Sequence, residues 1–258
     1  KSRFMLNLDS ENEGHFLVGC AGGMRVDCEF PAERRRWNGK LVSIHVSGVT
    51  GGHSGVEIQK QGANANVVLG RVLYELKKKA DFTVVSVDGG LKDNAITRSA
   101  RAILMFAPGQ EDLFMDILKE QQGIIEKEYH KTDAGMSIEG FLELSKEDAE
   151  SVDGVLPMTD VCGNAVITAL RTFPWGVQKM SKDMEGLPGI LETKADTVSL
   201  VFSVRSSVAS EKEELYDRLV CLTESLGGKV SRSGDYPAWE YVEDSKLRTL
   251  MGDTYREM

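Results

Sequence analysis

The chain has 258 residues, 41% hydrophobic and 28% charged, which is enough apolar material for one large domain or two smaller ones. A formal net charge of -9 argues against a broad nucleic-acid surface, which needs clustered Lys and Arg. No apolar run approaches the roughly 20 residues that span a bilayer, so neither a nucleic acid nor a membrane is an expected partner.

Four cysteines stand at Cys20, Cys28, Cys162 and Cys221 without a C-x-x-C pair, which fits a reducing cytoplasm better than a disulfide framework. No signal peptide is read at the start of the chain. The basic runs Arg34-Arg35-Arg36 and Lys77-Lys78-Lys79 read as solvated surface.

In chain order, Phe4 to Leu8 is a short apolar segment running into Asp9-Ser10-Glu11-Asn12-Glu13-Gly14. Open α/β sheets place ligands at the carboxyl ends of their strands, although an acidic surface turn reads the same way. Phe16 to Cys20 reads as a strand closed by a turn at Gly22-Gly23. Val42, Ile44 and Val46 alternate with Ser43, His45 and Ser47, the period of a half-buried strand, which puts His45 on its polar, exposed face. Then comes Gly48-Val49-Thr50-Gly51-Gly52-His53-Ser54-Gly55, in which four glycines surround one histidine. This is either a glycine-rich turn with an incidental histidine or a loop that presents an imidazole closely to a ligand.

Apolar residues from Ala65 to Leu76 recur at helical spacing and predict an amphipathic helix over 64–79. Phe82 to Val87 and Ala100 to Ala107 read as strands and Glu111 to Tyr129 as a helix. A second round follows: a strand over 136–144, a helix from about Thr159 to Phe173, a weaker strand over 177–180 and a strong one over 198–204. Ser210-Glu211-Lys212-Glu213 has the form of a capping box opening a last helix, which Gly227-Gly228 ends. Both rounds run strand, helix, strand, strand, helix. The expectation is therefore an α+β fold of duplicated units, each an antiparallel sheet covered by helices.

Familiar catalytic signatures fail on position. Gly52-His53-Ser54-Gly55-Val56 starts like a serine-hydrolase elbow, but Val56 stands where its last glycine belongs. Neither a P-loop, nor H-E-x-x-H, nor zinc-finger spacing is present.

Asn7-Leu8-Asp9-Ser10-Glu11 with Gly19-Cys20-Ala21-Gly22-Gly23, then Gly51-Gly52-His53-Ser54-Gly55 with Gly62-x-Asn64-Ala65-Asn66, and finally Val204-Arg205-Ser206-Ser207 occur in one order. Together they resemble the aminoacyl-histidine dipeptidases (Xaa-His dipeptidases), a family of co-catalytic zinc metallopeptidases. The resemblance implies a cytoplasmic enzyme that hydrolyses dipeptides with two zinc ions. It implies that Asp9 is a zinc ligand and that His53 stabilises the oxyanion formed on the substrate carbonyl. Arg205 would pair with the substrate's C-terminal carboxylate. Asp93-Asn94-Ala95-Ile96 resembles the lid segment that binds the substrate terminus, so Asn94 is a further candidate. These residue types suit those tasks: a guanidinium binds a carboxylate bidentately, and a loop imidazole can donate to a developing oxyanion.

The family's H-x-D motif, Glu-Glu pair and final zinc histidine are expected before Lys1 and after Met258. The chain then divides into a catalytic-domain remnant over 1–38, a lid over 39–208, and a return segment over 209–258. The lid holds two units, 39–130 and 131–208, the second reaching 233 on its longest reading. This piece is expected neither to hold two zinc ions nor to hydrolyse peptides alone. In dimeric relatives a lid histidine is delivered across a subunit interface, so a homodimer through the lid is a further implied partner; alternatively, the duplication places both groups over one site within one chain. Two other readings stay open: a non-catalytic lid or dimerisation module, and a related metal-dependent amidohydrolase or deacylase.

Overall fold

The computed structural model describes residues 5–6, 14–53, 57–179, 184–239 and 241–257. Its strands are β1 (Gly22–Pro31), β2 (Lys40–Ser47), β3 (Gly52–His53), β4 (Phe82–Gly89), β5 (Ala95–Ile96), β6 (Ala100–Phe106), β7 (Ser137–Phe141), β8 (Gly176–Lys179), β9 (Met184–Thr193), β10 (Thr197–Ser206) and β11 (Lys229–Tyr236). Its α-helices are α1 (Ala65–Lys79), α2 (Glu111–Tyr129), α3 (Lys146–Ser151), α4 (Asp160–Thr172), α5 (Ala209–Ser225) and α6 (Lys246–Glu257).

A nine-stranded antiparallel sheet runs β11-β1-β10-β9-β4-β6-β2-β7, with β8 paired on β9. Alternation gives it one apolar face. Val26, Cys28 and Phe30 of β1, Val42, Ile44 and Val46 of β2, and Val198, Leu200, Phe202 and Val204 of β10 all point into the main core. Leu69, Leu73 and Leu76 of α1, Phe114 and Ile117 of α2, Val166 and Leu170 of α4 and Leu215 and Leu219 of α5 meet them there. The opposite face carries a smaller cluster, in which Val85 and Ile103 are covered by Val152 with Leu144 and Val155 packed beside them.

The duplication is real but interleaved. One unit is β2, α1, β4, β6, α2, β7, with its strands in the order β7-β2-β6-β4. The other is β1, α4, β9, β10, α5, β11, with its strands in the order β11-β1-β10-β9. Both are βαββαβ with matching strand order, and the first unit is inserted after the opening strand of the second. The expected second-round strand instead shortens to β7 and pairs with β2, joining the first unit. β1 falls inside 1–38 yet pairs with β10 over its full length, from Gly22↔Ser206 to Pro31↔Thr197. The strand expected over Phe16 to Cys20 contributes only an isolated bridge from Cys20 to Trp239, and the Gly22-Gly23 pair is strand rather than turn. The reason is partnership: β10 and β11 flank this segment and draw it into the sheet.

The units meet where β4 lies beside β9. Backbone pairing is confined to Gly89↔Leu191. Side chains extend the seam. Thr193 N donates to Asp88 Oδ1 (3.0 Å), Thr193 Oγ1 donates to the Val87 carbonyl (2.8 Å), and Val87 N donates back to Thr193 Oγ1 (2.9 Å).

The chain ends also meet. Cys20 and Trp239 exchange two backbone hydrogen bonds of 2.8 and 2.9 Å, and the Phe16 ring stands edge-on to Tyr255 at 6.0 Å. The capping-box expectation shifts by several residues: α5 starts at Ala209, and Ser206 Oγ, not Ser210, accepts the Val208 N–H at 3.0 Å.

Candidate functional site

His53 is exposed at the end of a loop whose shape depends on two glycines, Gly51 at φ +69° and Gly52 at φ +141°. Side chains with a Cβ are strained in that region. The turn is closed by Glu57, whose Oε2 accepts the His53 N–H at 2.9 Å while Oε1 accepts Lys60 Nζ at 2.9 Å. Lys60 first, and then the His53 N–H, hold the Glu57 carboxyl below the usual carboxylate range.

Asp133 clamps the loop from below. Its Oδ1 accepts the Thr50 N–H (2.9 Å) and its Oδ2 the Ala63 N–H (2.8 Å), one on each side of the histidine. Thr50 Oγ1 adds a bond to the Thr132 carbonyl at 2.9 Å.

β3 pairs with β5 in the register Gly52↔Ile96 and His53↔Ala95, which brings the histidine strand alongside Asn94's neighbour. The Asn64-Ala65-Asn66 motif supports this pairing. Asn64 Oδ1 caps α1 by accepting the Asn66 N–H at 3.0 Å, Ala65 N donates to the Thr97 carbonyl at 3.0 Å, and Asn66 Nδ2 donates to Thr97 Oγ1 at 3.3 Å. Thr97 Oγ1 in turn donates to the Gly189 carbonyl of β9 at 3.0 Å. Asp93, beside Asn94, reaches Arg25 of β1 at 3.3 Å, and Arg25 also pairs with Asp27 at 2.9 Å. The loop of the first unit that carries Asn94 is thus fastened to two strands of the second.

Arg205 stands on that same face. It lies opposite Gly23 of β1, and Arg25 lies opposite Ser203 of β10; cross-strand partners and residues two apart share a face. Arg205 is therefore one row, about 7 Å along the strand, from the Arg25–Asp93 pair. It is half-buried and points away from Val198, Leu200, Phe202 and Val204, as its alternation requires.

Arg205 lies on that face, the loop of Asn94 is fastened to it through Asp93, and β3 pairs His53 with that loop through β5. Asp9 lies outside the described residues. Among the described residues no three His, Cys, Asp or Glu side chains come together to hold a metal ion.

His45, expected to be an ordinary exposed residue, is bound: its Nε2 lies 3.0 Å from Oδ2 of the buried Asp148, whose Oδ1 accepts Arg101 Nη1 at 3.1 Å. Phe141 lies against its ring at 5.1 Å. The group fastens α3 to the sheet.

Sequence reasoning missed Asp133. A lone aspartate after a helix carries no motif, and only its place beneath the loop reveals it.

Residues 39–133 match the family described as a peptidase dimerisation domain. The matched span is the first βαββαβ unit without its edge strand, and it ends at the Asp133 clamp. Over 261 aligned residues the chain is 26% identical to the cytosol non-specific dipeptidase of Escherichia coli strain K12, covering 98% of this chain and 52% of that protein. Its fold matches the crystal structure of aminoacylhistidine dipeptidase from Vibrio alginolyticus at a TM-score of 0.89, with 24% identity over 97% of this chain and 51% of that one. The resemblance carried by the three motifs together is borne out by similarity over nearly the whole chain. The chain spans about half the length of the relatives it matches. Among the described residues no helix is long and apolar enough to cross a membrane.

Proposed function

We propose that this chain is the lid half of a dipeptidase active site, and that the whole protein hydrolyses Xaa-His and related dipeptides in the cytoplasm. The observation that carries the reading is the fastening of the Asn94 loop, paired with His53, onto the strand face that bears Arg205. Similarity over 98% of the chain to a protein named a cytosol dipeptidase supports the substrate class and the compartment.

Each residue then has a task suited to its chemistry. The Arg205 guanidinium pairs with the substrate's C-terminal carboxylate and so measures a dipeptide from its end. The His53 imidazole donates to the scissile carbonyl oxygen as it gains charge. Asn94 offers an amide to the same end of the substrate. Zinc, with Asp9 as a ligand, belongs to the proposal, but the described residues do not by themselves fit a metal centre. The chain alone is expected to be inactive.

The match of 39–133 to a peptidase dimerisation domain supports a homodimer as well. Since β4 is already beside β9, a second copy adding through the sheet would use an outer edge, β7 or β11.

The test is hydrolysis of an Xaa-His dipeptide by the whole protein. His53→Ala is expected to lower kcat by roughly 10²–10³, as removing one oxyanion donor does. An unchanged kcat would remove His53 from the site.

A further inference from the structure

We propose that Tyr236 completes the carboxylate subsite of Arg205, its phenol donating a hydrogen bond to the dipeptide's C-terminal carboxylate while the guanidinium pairs with it. The proposal rests on the dipeptidase reading above and assigns a residue that the sequence motifs do not touch.

Three strands place the pair. Gly23 of β1 lies opposite Arg205 of β10 on one side and opposite Tyr236 of β11 on the other. Cross-strand partners point to one face, so both side chains rise on the face that also carries Arg25 and Asp93. Gly23, with no side chain, leaves the row between them open. A Cβ placed there would lie 2.5 Å from Tyr236 Oη and 2.7 Å from its ring carbon Cζ. The phenol therefore extends from β11 across β1 toward the strand of Arg205, with its hydroxyl foremost.

An aromatic ring over a cross-strand glycine is also a packing device. Two observations go beyond packing. The register between β1 and β11 slips between Gly23 and Arg25, because Gly23↔Tyr236 is followed by Arg25↔Ser233, with Gly234 at φ +60° in the extra step. A bulge of this kind re-aims a side chain, and here it turns Tyr236 onto the Arg205 row. The aimed residue is then anchored: Lys212 of α5, only 5% exposed, donates from Nζ to the Tyr236 carbonyl at 3.0 Å and to Asp235 Oδ1. Tyr236 as a residue stays 47% exposed, so the row it crosses is not sealed from solvent.

The subsite would take a planar carboxylate at a free peptide C-terminus. A guanidinium fork supplies the charge and the phenol a second, fixed direction. A C-terminal amide offers neither the charge nor the second acceptor.

The whole protein is assayed with an Xaa-His dipeptide, the same dipeptide as its C-terminal amide, and a non-hydrolysable dipeptide analogue for calorimetry. Tyr236→Phe keeps the ring over Gly23 and removes only the hydroxyl. It should raise KM for the free acid about 10-fold, the order expected for one hydrogen bond to a charged group. KM for the amide and kcat for both should hold, and Kd for the analogue should rise by the same factor. Gly23→Ala, which displaces the phenol, should reproduce the effect. Identical KM and Kd for wild type and Tyr236→Phe would overturn the proposal while leaving the dipeptidase reading intact. Tyr236-dependent binding of the analogue without hydrolysis by the wild type would support the subsite and overturn that reading. Failure of the wild type to bind the analogue at all would overturn both.

Discussion

Each oxygen of Asp133 accepts one backbone N–H, from Thr50 before the histidine turn and from Ala63 after it. Burial pushes this carboxyl up, but the N–H groups of Ala63 and Thr50 and the hydroxyls of Thr132 and Thr50 outweigh it and hold it below its ordinary value of 3.8. A depressed carboxyl stabilises the fold above its unfolded value and loses that contribution as the pH falls through the folded one. Asp133 should therefore add acid sensitivity below about pH 4. Asp133→Asn sets an amide N–H₂ against one of the two donors. It is expected to cost about 1–3 kcal/mol in urea unfolding at pH 7 and to flatten the acid limb. An unchanged midpoint at pH 7 would mean that the clamp does not hold the loop.

His53, Arg205 and Asn94 were open to proposal from the sequence because they sit inside short motifs. Asp133 and Tyr236 were not: Asp133 stands 83 residues from Thr50, and Tyr236 matters only through the strand beside it.

At the scale of elements, the sequence exposes whatever has period. The helices α1, α2 and α4 and the strands β2, β4, β6 and β10 follow their apolar spacing closely. β9 has no such signature. Gly186, Pro188 and Gly189 interrupt it, and proline argues against an interior strand. The sheet accommodates it through a bulge between Val201 and Phe202, where Pro188 pairs with Phe202.

β9 nonetheless makes the seam with β4, so the seam itself was invisible in the sequence. Thr193→Val keeps the shape and strips Val87 of both its donor and its acceptor partner, at an expected cost of about 1–3 kcal/mol. Asp88 behaves oppositely. Burial pushes its carboxyl up, and the Thr193 N–H and Arg101 only partly offset this. A raised carboxyl penalises the fold above its folded value and ceases to below the unfolded one. Asp88→Asn, which still accepts from Thr193, should match or exceed wild-type stability at pH 7 and lose that advantage near pH 4. Thermal melts at the two pH values decide it, and a large loss at pH 7 would contradict the account.

For the whole molecule, element order revealed a duplication but not its interleaving. β1 precedes the entire first unit and still pairs with β10, far along the chain. Nothing local to 22–31 announces such partners, because strand pairing is set by tertiary packing. The outcome is two βαββαβ units side by side in one polypeptide, with the Asn94 loop of one fastened to the Arg25 and Gly189 strands of the other. That arrangement supports the central claim, a single dipeptide site that takes His53 from one unit and Arg205 from the other within one chain. Subunit complementation tests it directly. Whole-protein variants His53→Ala and Arg205→Ala are each purified, then unfolded and refolded together, and kcat/KM for an Xaa-His dipeptide is measured on the mixture. A site built within one chain predicts no more activity than the two variants show separately. Recovery of a substantial fraction of wild-type activity on mixing would mean that the two residues meet across subunits, and would contradict the account.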